Sequence, residues 1–263
     1  MLVNIKNVLP FSRLIGFVMI ISYKYKYIFI ELPKTGSTAI ANELCQYYEG
    51  EKILNKHSTY YDFIKYASAD ERQFFKFSCV RNPMDQVVSR YVKLKTGQQN
   101  PEKDIKRYLK KGKKINIGTT RLLKQYKYIH NEEADFEDYF LTFYRLPYFD
   151  WSLLHHRMFD YIIRFENLSE DFNLVLQKIG IHPLRELPLL NKTKEKKDFL
   201  DYYCCPEIKK RALFVFKPYF KHYGFQFPEH WGETLRLSVS RSNDFLFYIE
   251  KIVLRFYWRY IKK

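Results

Sequence analysis

Residues 33–38 read Pro-Lys-Thr-Gly-Ser-Thr, a lysine set among small and hydroxyl-bearing side chains around one glycine. Those types in that order suit the holding of an anion. Lys34 brings charge, and the small side chains of Thr35, Gly36, Ser37 and Thr38 let a phosphate approach main-chain N–H groups closely. The nucleoside-triphosphate loop G-x-x-x-x-G-K-[ST] places its lysine after the last glycine. Here Lys34 precedes Gly36, which argues against an ordinary ATP or GTP loop. A plain strand-to-helix turn capped by Ser37 or Thr38 would explain the hydroxyls but not the lysine beside them. A second cation, Arg81, stands in the stretch Val80-Arg81-Asn82-Pro83 and reads, taken alone, equally well as an ion-pair partner.

The surrounding periodicity says how these residues are positioned. Tyr27 to Leu32 is short, aromatic and β-branched and ends at Pro33, the pattern of a buried strand. From Gly36 the period becomes helical, with Ile40, Leu44, Tyr47 and Tyr48 on one face and Gly50 as a stop. Phe74 to Val80 predicts a second buried strand, and Asn82-Pro83 an N-cap followed by proline in the first helical position. Met84, Val87, Val88 and Tyr91 then mark a packed helix face, with Asp85 and Ser89 expected off it. Ligands of open α/β sheets bind at the carboxyl ends of strands. Lys34 and Arg81 are therefore expected to face one crevice from neighbouring strands.

Composition bounds the rest. With 263 residues and no linker, low-complexity tract or internal repeat, a single domain over 1–263 is expected. The formal net charge of +16, from 45 Lys and Arg against 29 Asp and Glu, points to anionic partners without choosing among nucleic acid, membrane and acidic glycan. Cys45, Cys79, Cys204 and Cys205 have neither metal-ligand nor disulfide-framework spacing, which suits a reducing compartment. The apolar run 9–22 is interrupted by Arg13 and falls short of the ~20 residues that span a bilayer. No small-residue cleavage site follows it, so it reads as a lead-in to a first core strand at Tyr27.

PKTGST after a strand, followed some fifty residues later by VRNPMDQVVSRY, resembles the two nucleotide-binding signatures of the sulfotransferases that use 3′-phosphoadenosine 5′-phosphosulfate (PAPS). NKHSTYYDF (55–63) resembles the intervening histidine segment of carbohydrate sulfotransferases, including the uronyl 2-O-sulfotransferases. FDYIIRFENLSEDFNLVLQKIGI (159–181), LPLLNKTKEKKDFLDYY (187–203) and VFKPYFKHYGFQF (215–227) resemble later blocks of the same enzymes. The likeness covers about residues 22–228 and leaves 229–263 as an extension. Two positions depart from P-K-T-G-G-T-S, since Ser37 replaces the second glycine and Ala39 the final serine.

The resemblance implies a three-layer α/β fold with a mainly parallel sheet, P-loop-like in its turn. It implies that Lys34, Thr35, Gly36, Ser37, Thr38 and Ala39 hold the 5′-phosphosulfate, and that Arg81 and Ser89 hold the 3′-phosphate. Lys34 would act on the bridging oxygen, and His57 would be the base for the acceptor hydroxyl. It implies PAPS as co-substrate, adenosine 3′,5′-bisphosphate (PAP) as product, and no metal. His155 and His156 are a second candidate pair, Glu166 is read as structural support, and Lys192, Lys194, Lys196 and Lys197 as residues that close over the nucleotide.

The expected acceptor is an anionic carbohydrate, met by the basic and aromatic run 102–128, whose plainer reading is a solvated helix pair. A cytoplasmic bacterial enzyme modifying a surface polysaccharide or its lipid-linked precursor suits this reading, with a small-molecule or lipid sulfotransferase as alternative. A basic nucleic-acid-binding protein is the rival of another class; no nucleic acid is expected as partner. In the tail, Leu246, Ile249, Val253, Phe256, Tyr257 and Tyr260 form one helical stripe, and Lys251, Arg255, Arg259 and Lys262 another. That is the pattern of a helix lying peripherally on an anionic inner membrane, against a packing or dimer helix.

Overall fold

The structure, a computed structural model, describes residues 19–54, 59–112, 115, 117–188, 193–232, 242–257 and 260. In chain order the first elements are β1 (Met19–Ser22), β2 (Tyr27–Ile30), α1 (Ser37–Tyr47), β3 (Glu51–Ile53), α2 (Tyr60–Ile64) and β4 (Phe75–Val80). Helices α3 (Pro83–Lys95), α4 (Pro101–Lys110), α5 (Ile117–Asn131), α6 (Phe136–Phe143) and α7 (Ser152–His155) follow. The chain continues with β5 (Tyr161–Arg164), α8 (Leu168–Lys178), α9 (Pro206–Tyr223) and α10 (Ser242–Phe256). It divides into two compact units, one of Met1–Asn82, Phe149–Asn191 and Ile249–Lys263, the other of Pro83–Tyr148 and Lys192–Tyr248.

The first unit carries the sheet, in the order β3-β1-β2-β4-β5. β2, β4 and β5 pair in parallel, while β1 is antiparallel to both β2 and β3. β1 is thus the one reversed strand of the five, and the sheet is mainly parallel in direction. β1 and β2, at the centre of the sheet, are buried on both faces, as a sheet covered on both sides requires, while the edge strand β3 exposes Glu51 and Lys52. Tyr27, Phe29, Phe77, Cys79 and Ile163 pack against Ile40 and Leu44 of α1 and Phe172, Val175 and Leu176 of α8. Ile28, Ile30, Met19 and Ile21 face the other way, toward Phe63 of α2 and Phe159. Those are the three layers of the expected α/β architecture.

The lead-in reading of 9–22 needs correction at its end. Met19–Ser22 is a fully buried strand that turns through Tyr23–Lys26 into β2, with Lys26 in the left-handed region at φ 53°. Tyr27 therefore opens the second strand, not the first; residues 9–18 of that run lie outside the described residues.

The second unit is helical and built on aromatic packing. Phe136 and Phe140 of α6 contact Tyr203, Phe140 also contacts Phe216 on α9, and Tyr139 packs against Phe136 and Tyr91. The expectation that Asp85 and Ser89 lie off the packed face of α3 also fails. Asp85, Gln86 and Ser89 are 7%, 5% and 4% exposed and so are buried together with Met84 and Val87. Asp85 pairs with Lys196, Gln86 accepts from the hydroxyl of Tyr148, and Tyr203 Oη donates to the Met84 carbonyl at 3.2 Å. Lys196 is thus an ion-pair partner within this unit, and Lys192 lies outside the described residues.

Candidate active site

The turn from β2 to α1 is bound to the end of its own strand. Thr35 Oγ1 and Ser37 Oγ both donate to the Leu32 carbonyl, at 2.8 and 2.7 Å. Thr35 and Ser37 are consequently buried, while Lys34 and Thr38 remain exposed. Thr38 Oγ1 donates to Glu31 Oε1 at 3.0 Å. All three hydroxyls lie within hydrogen-bond distance of protein oxygens, for two of them the Leu32 carbonyl. What the turn offers an anion is main-chain N–H groups, the start of α1 and the Lys34 ammonium. The N-cap of α1 is Gly36, so no side chain caps its first N–H groups.

Two left-handed residues make the turn. Lys34 has φ 68° and Gly36 φ 76°. For a lysine that conformation costs on the order of 1 kcal/mol, and such strain gathers where a loop is shaped for a ligand. At Gly36 both conformation and space require glycine: an added Cβ would stand 2.9 Å from Leu168 Cδ2 and 2.9 Å from Phe165 Cδ2. The helix start is thereby seated against the segment that follows β5.

Arg81 follows the last residue of β4, beside β2 in the sheet. Its guanidinium donates to the Lys34 carbonyl at 3.3 Å and lies over the Phe165 ring at 4.1 Å, leaving the residue 9% exposed. The two sequence segments expected to share a crevice are therefore in direct contact. Glu166 Oε1 accepts from the Asn82 main-chain N–H at 2.6 Å, which anchors the chain after Arg81 and gives Glu166 its supporting role. Ser89 belongs to the helical unit, in the second turn of α3.

His57 lies outside the described residues. Thr59 closes a capping box with Asp62, the Thr59 N–H and hydroxyl both donating to Asp62 Oδ2 at 2.8 Å, which starts α2. Next to the carboxyl end of β2 a small recess is lined by Glu31, Thr59, Tyr60, Trp151, His155 and His156. His155 meets the Tyr61 ring edge-on at 4.1 Å. His156 is buried, and desolvation, with His155 adding to it, pulls its pKa down to about 3. An imidazole so weakly basic packs the recess and is a poor proton acceptor at neutral pH.

Sequence reasoning passed over Glu31, an acid 7% exposed in the lining of that recess. The signal was present: a carboxylate directly after an apolar strand and two residues before Pro33. Among the described residues no group of three or more His, Cys, Asp and Glu is arranged to hold a metal ion.

The family model described as the sulfotransferase family matches residues 18–218, most of the chain. The protein belongs to that family and is a sulfotransferase, which implies PAPS as the sulfuryl donor. No curated protein and no solved structure matches the chain.

Proposed function

We propose that the protein transfers the sulfuryl group of PAPS to a hydroxyl of an anionic carbohydrate, at the crevice formed by Lys34 and Arg81. The observation that carries the reading is the contact of Arg81 with the Lys34 carbonyl, which gathers two cations and an uncapped helix start at the carboxyl ends of two parallel strands. That donor set, charged and rich in N–H groups, fits a nucleotide with phosphates at both ends. PAPS supplies a sulfuryl group on a good leaving phosphate.

Lys34 neutralises the charge that grows on the bridging oxygen as the sulfur–oxygen bond breaks. The main-chain N–H groups of Thr35 to Ala39 hold the 5′-phosphate in line, so catalysis is largely positioning, as in phosphoryl transfer. Arg81 selects a 3′-phosphate through charge-assisted hydrogen bonds. His57, by the role the resemblance implies for it, takes the proton of the acceptor hydroxyl.

The carbohydrate acceptor is supported by the net charge of +16 and by α4, a helix on which Lys103, Lys106, Arg107 and Lys110 are all exposed. Incubation with radiolabelled PAPS and a panel of acidic polysaccharides, neutral polysaccharides and phenols tests it. Label should pass to an acidic polysaccharide and cease with Lys34→Ala. Transfer to phenols alone would replace the carbohydrate with a small-molecule acceptor.

A further inference from the structure

Among the described residues, the helical unit partly buries a guanidinium that no carboxylate meets. Arg90, on α3, donates from Nη1 to Tyr144 Oη at 3.4 Å, while its Nε is shut off from solvent and has no hydrogen-bond partner. Tyr144 follows the last residue of α6. Its hydroxyl lies 3.4 Å from that of Tyr139 on α6, and Tyr139 Oη donates in turn to Gln125 Oε1 on α5 at 3.4 Å. Gln125 is 1% exposed, and its Nε2 is a second buried donor without a partner. Arg90, Tyr144, Tyr139 and Gln125 thus form one polar run joining three helices.

The run is rich in donors and poor in acceptors. A guanidinium brings five N–H groups and an amide two, against the phenol oxygens and a single amide oxygen. A buried N–H left unpaired forfeits its hydration, and a buried cation without a counter-charge forfeits more. The three contacts that join the run all stand at the long end of hydrogen-bond range, so the hydroxyls are loosely held and can turn toward a ligand.

We propose that this run binds a small monovalent anion of the chloride type, held by Arg90 Nε with the Tyr139 and Tyr144 hydroxyls and the Gln125 amide about it. Charge and size choose the occupant. The run carries one positive charge among neutral groups, so a monovalent ion balances it, whereas sulfate or phosphate would leave net negative charge buried. The unpartnered N–H groups are shut off from solvent, which excludes a carboxylate carried on a sugar or peptide. Arg90 as a whole is only half-buried, and its open side gives a bare ion its way in. Bound there, the ion ties α3 to α5 and α6 through charge-assisted hydrogen bonds.

The test compares melting temperatures of the full chain in sodium chloride and in sodium gluconate at equal ionic strength, which separates a bound ion from screening of the net charge. Chloride should raise the melting temperature with the logarithm of its concentration once that exceeds the dissociation constant. Arg90→Gln should move the onset of this rise to roughly tenfold higher chloride or beyond. Gln125→Leu leaves the cation in place and should move the onset the same way by a smaller factor, which keeps the test open should the first variant not fold. Crystals grown in bromide locate the ion directly, with an anomalous peak expected within hydrogen-bond distance of Arg90 Nε. Identical melting of the parent in the two salts, an undiminished chloride response in either folded variant, or a bromide peak at the Lys34 turn with none at Arg90 would overturn the inference.

Discussion

The guanidinium of Arg81 donates to the main-chain carbonyl of Lys34 at 3.3 Å, joining two residues 47 positions apart in the chain. The bond puts the cation from the end of β4 against the backbone of the turn that follows β2. Lys34, whose carbonyl accepts this bond, stands in the left-handed region at φ 68°.

That strained turn predicts a stability effect at its other left-handed residue. Gly36→Ala must accept φ 76° and a Cβ at 2.9 Å from two side chains, so it should destabilise the fold by about 1–3 kcal/mol. Urea denaturation measures it. An unchanged midpoint would mean that the turn relaxes around a methyl group.

The hydroxyls beneath the turn act on its shape. Ser37→Ala removes one of two donors to the Leu32 carbonyl, and a loss of about 1 kcal/mol in stability is expected, with Thr35 still in place. Nucleotide affinity should change little. A loss of PAP binding much larger than the loss of stability would assign the Ser37 hydroxyl to the ligand instead.

His156 makes stability depend on pH. Its folded pKa, about 3, lies below the unfolded value near 6.5, so its contribution is fully present above pH ~6.5 and is lost as pH falls toward 3. The loss approaches roughly 5 kcal/mol at the acid end for this one group. Stability curves of the parent and of His156→Gln should converge on acidification across that window. Parallel curves would mean that His156 stays solvated enough to titrate normally.

If His57 is the acceptor base, His57→Ala should lower turnover by about 10²–10⁴ with PAP affinity unchanged. The parent's kcat/KM for the acceptor should fall as pH drops through ~6–7, and the variant should lack that limb. Near-normal turnover in a folded, PAP-binding variant would remove His57 from the chemistry and turn attention to Glu31.

The parts of the site built from contiguous residues were legible. An apolar run broken by Pro33, a lysine and a helical period predict the β2 turn and α1, and the same reasoning places Arg81 at the end of β4. What escaped depends on distant chain. Met19–Ser22 lies in a longer apolar run with no break to mark where a strand begins, and its antiparallel partner lies across a turn of alternating Tyr and Lys. The burial of Asp85 and Ser89 escaped because the second face of α3 is covered by segments around Tyr148, Lys196 and Tyr203, which no local period reports. The inward aim of the Thr35 and Ser37 hydroxyls follows from the path of the turn, which residue types alone do not dictate.

The central claim is that the crevice of Lys34 and Arg81 is built for a nucleotide with a 3′-phosphate. Titration calorimetry of PAP and AMP against the parent and Arg81→Ala tests it most directly. The parent should bind PAP far more tightly than AMP, and Arg81→Ala should cost PAP roughly 2–4 kcal/mol while leaving AMP nearly unaffected. Equal affinity of the parent for the two nucleotides, or an equal loss for both in the variant, would contradict it.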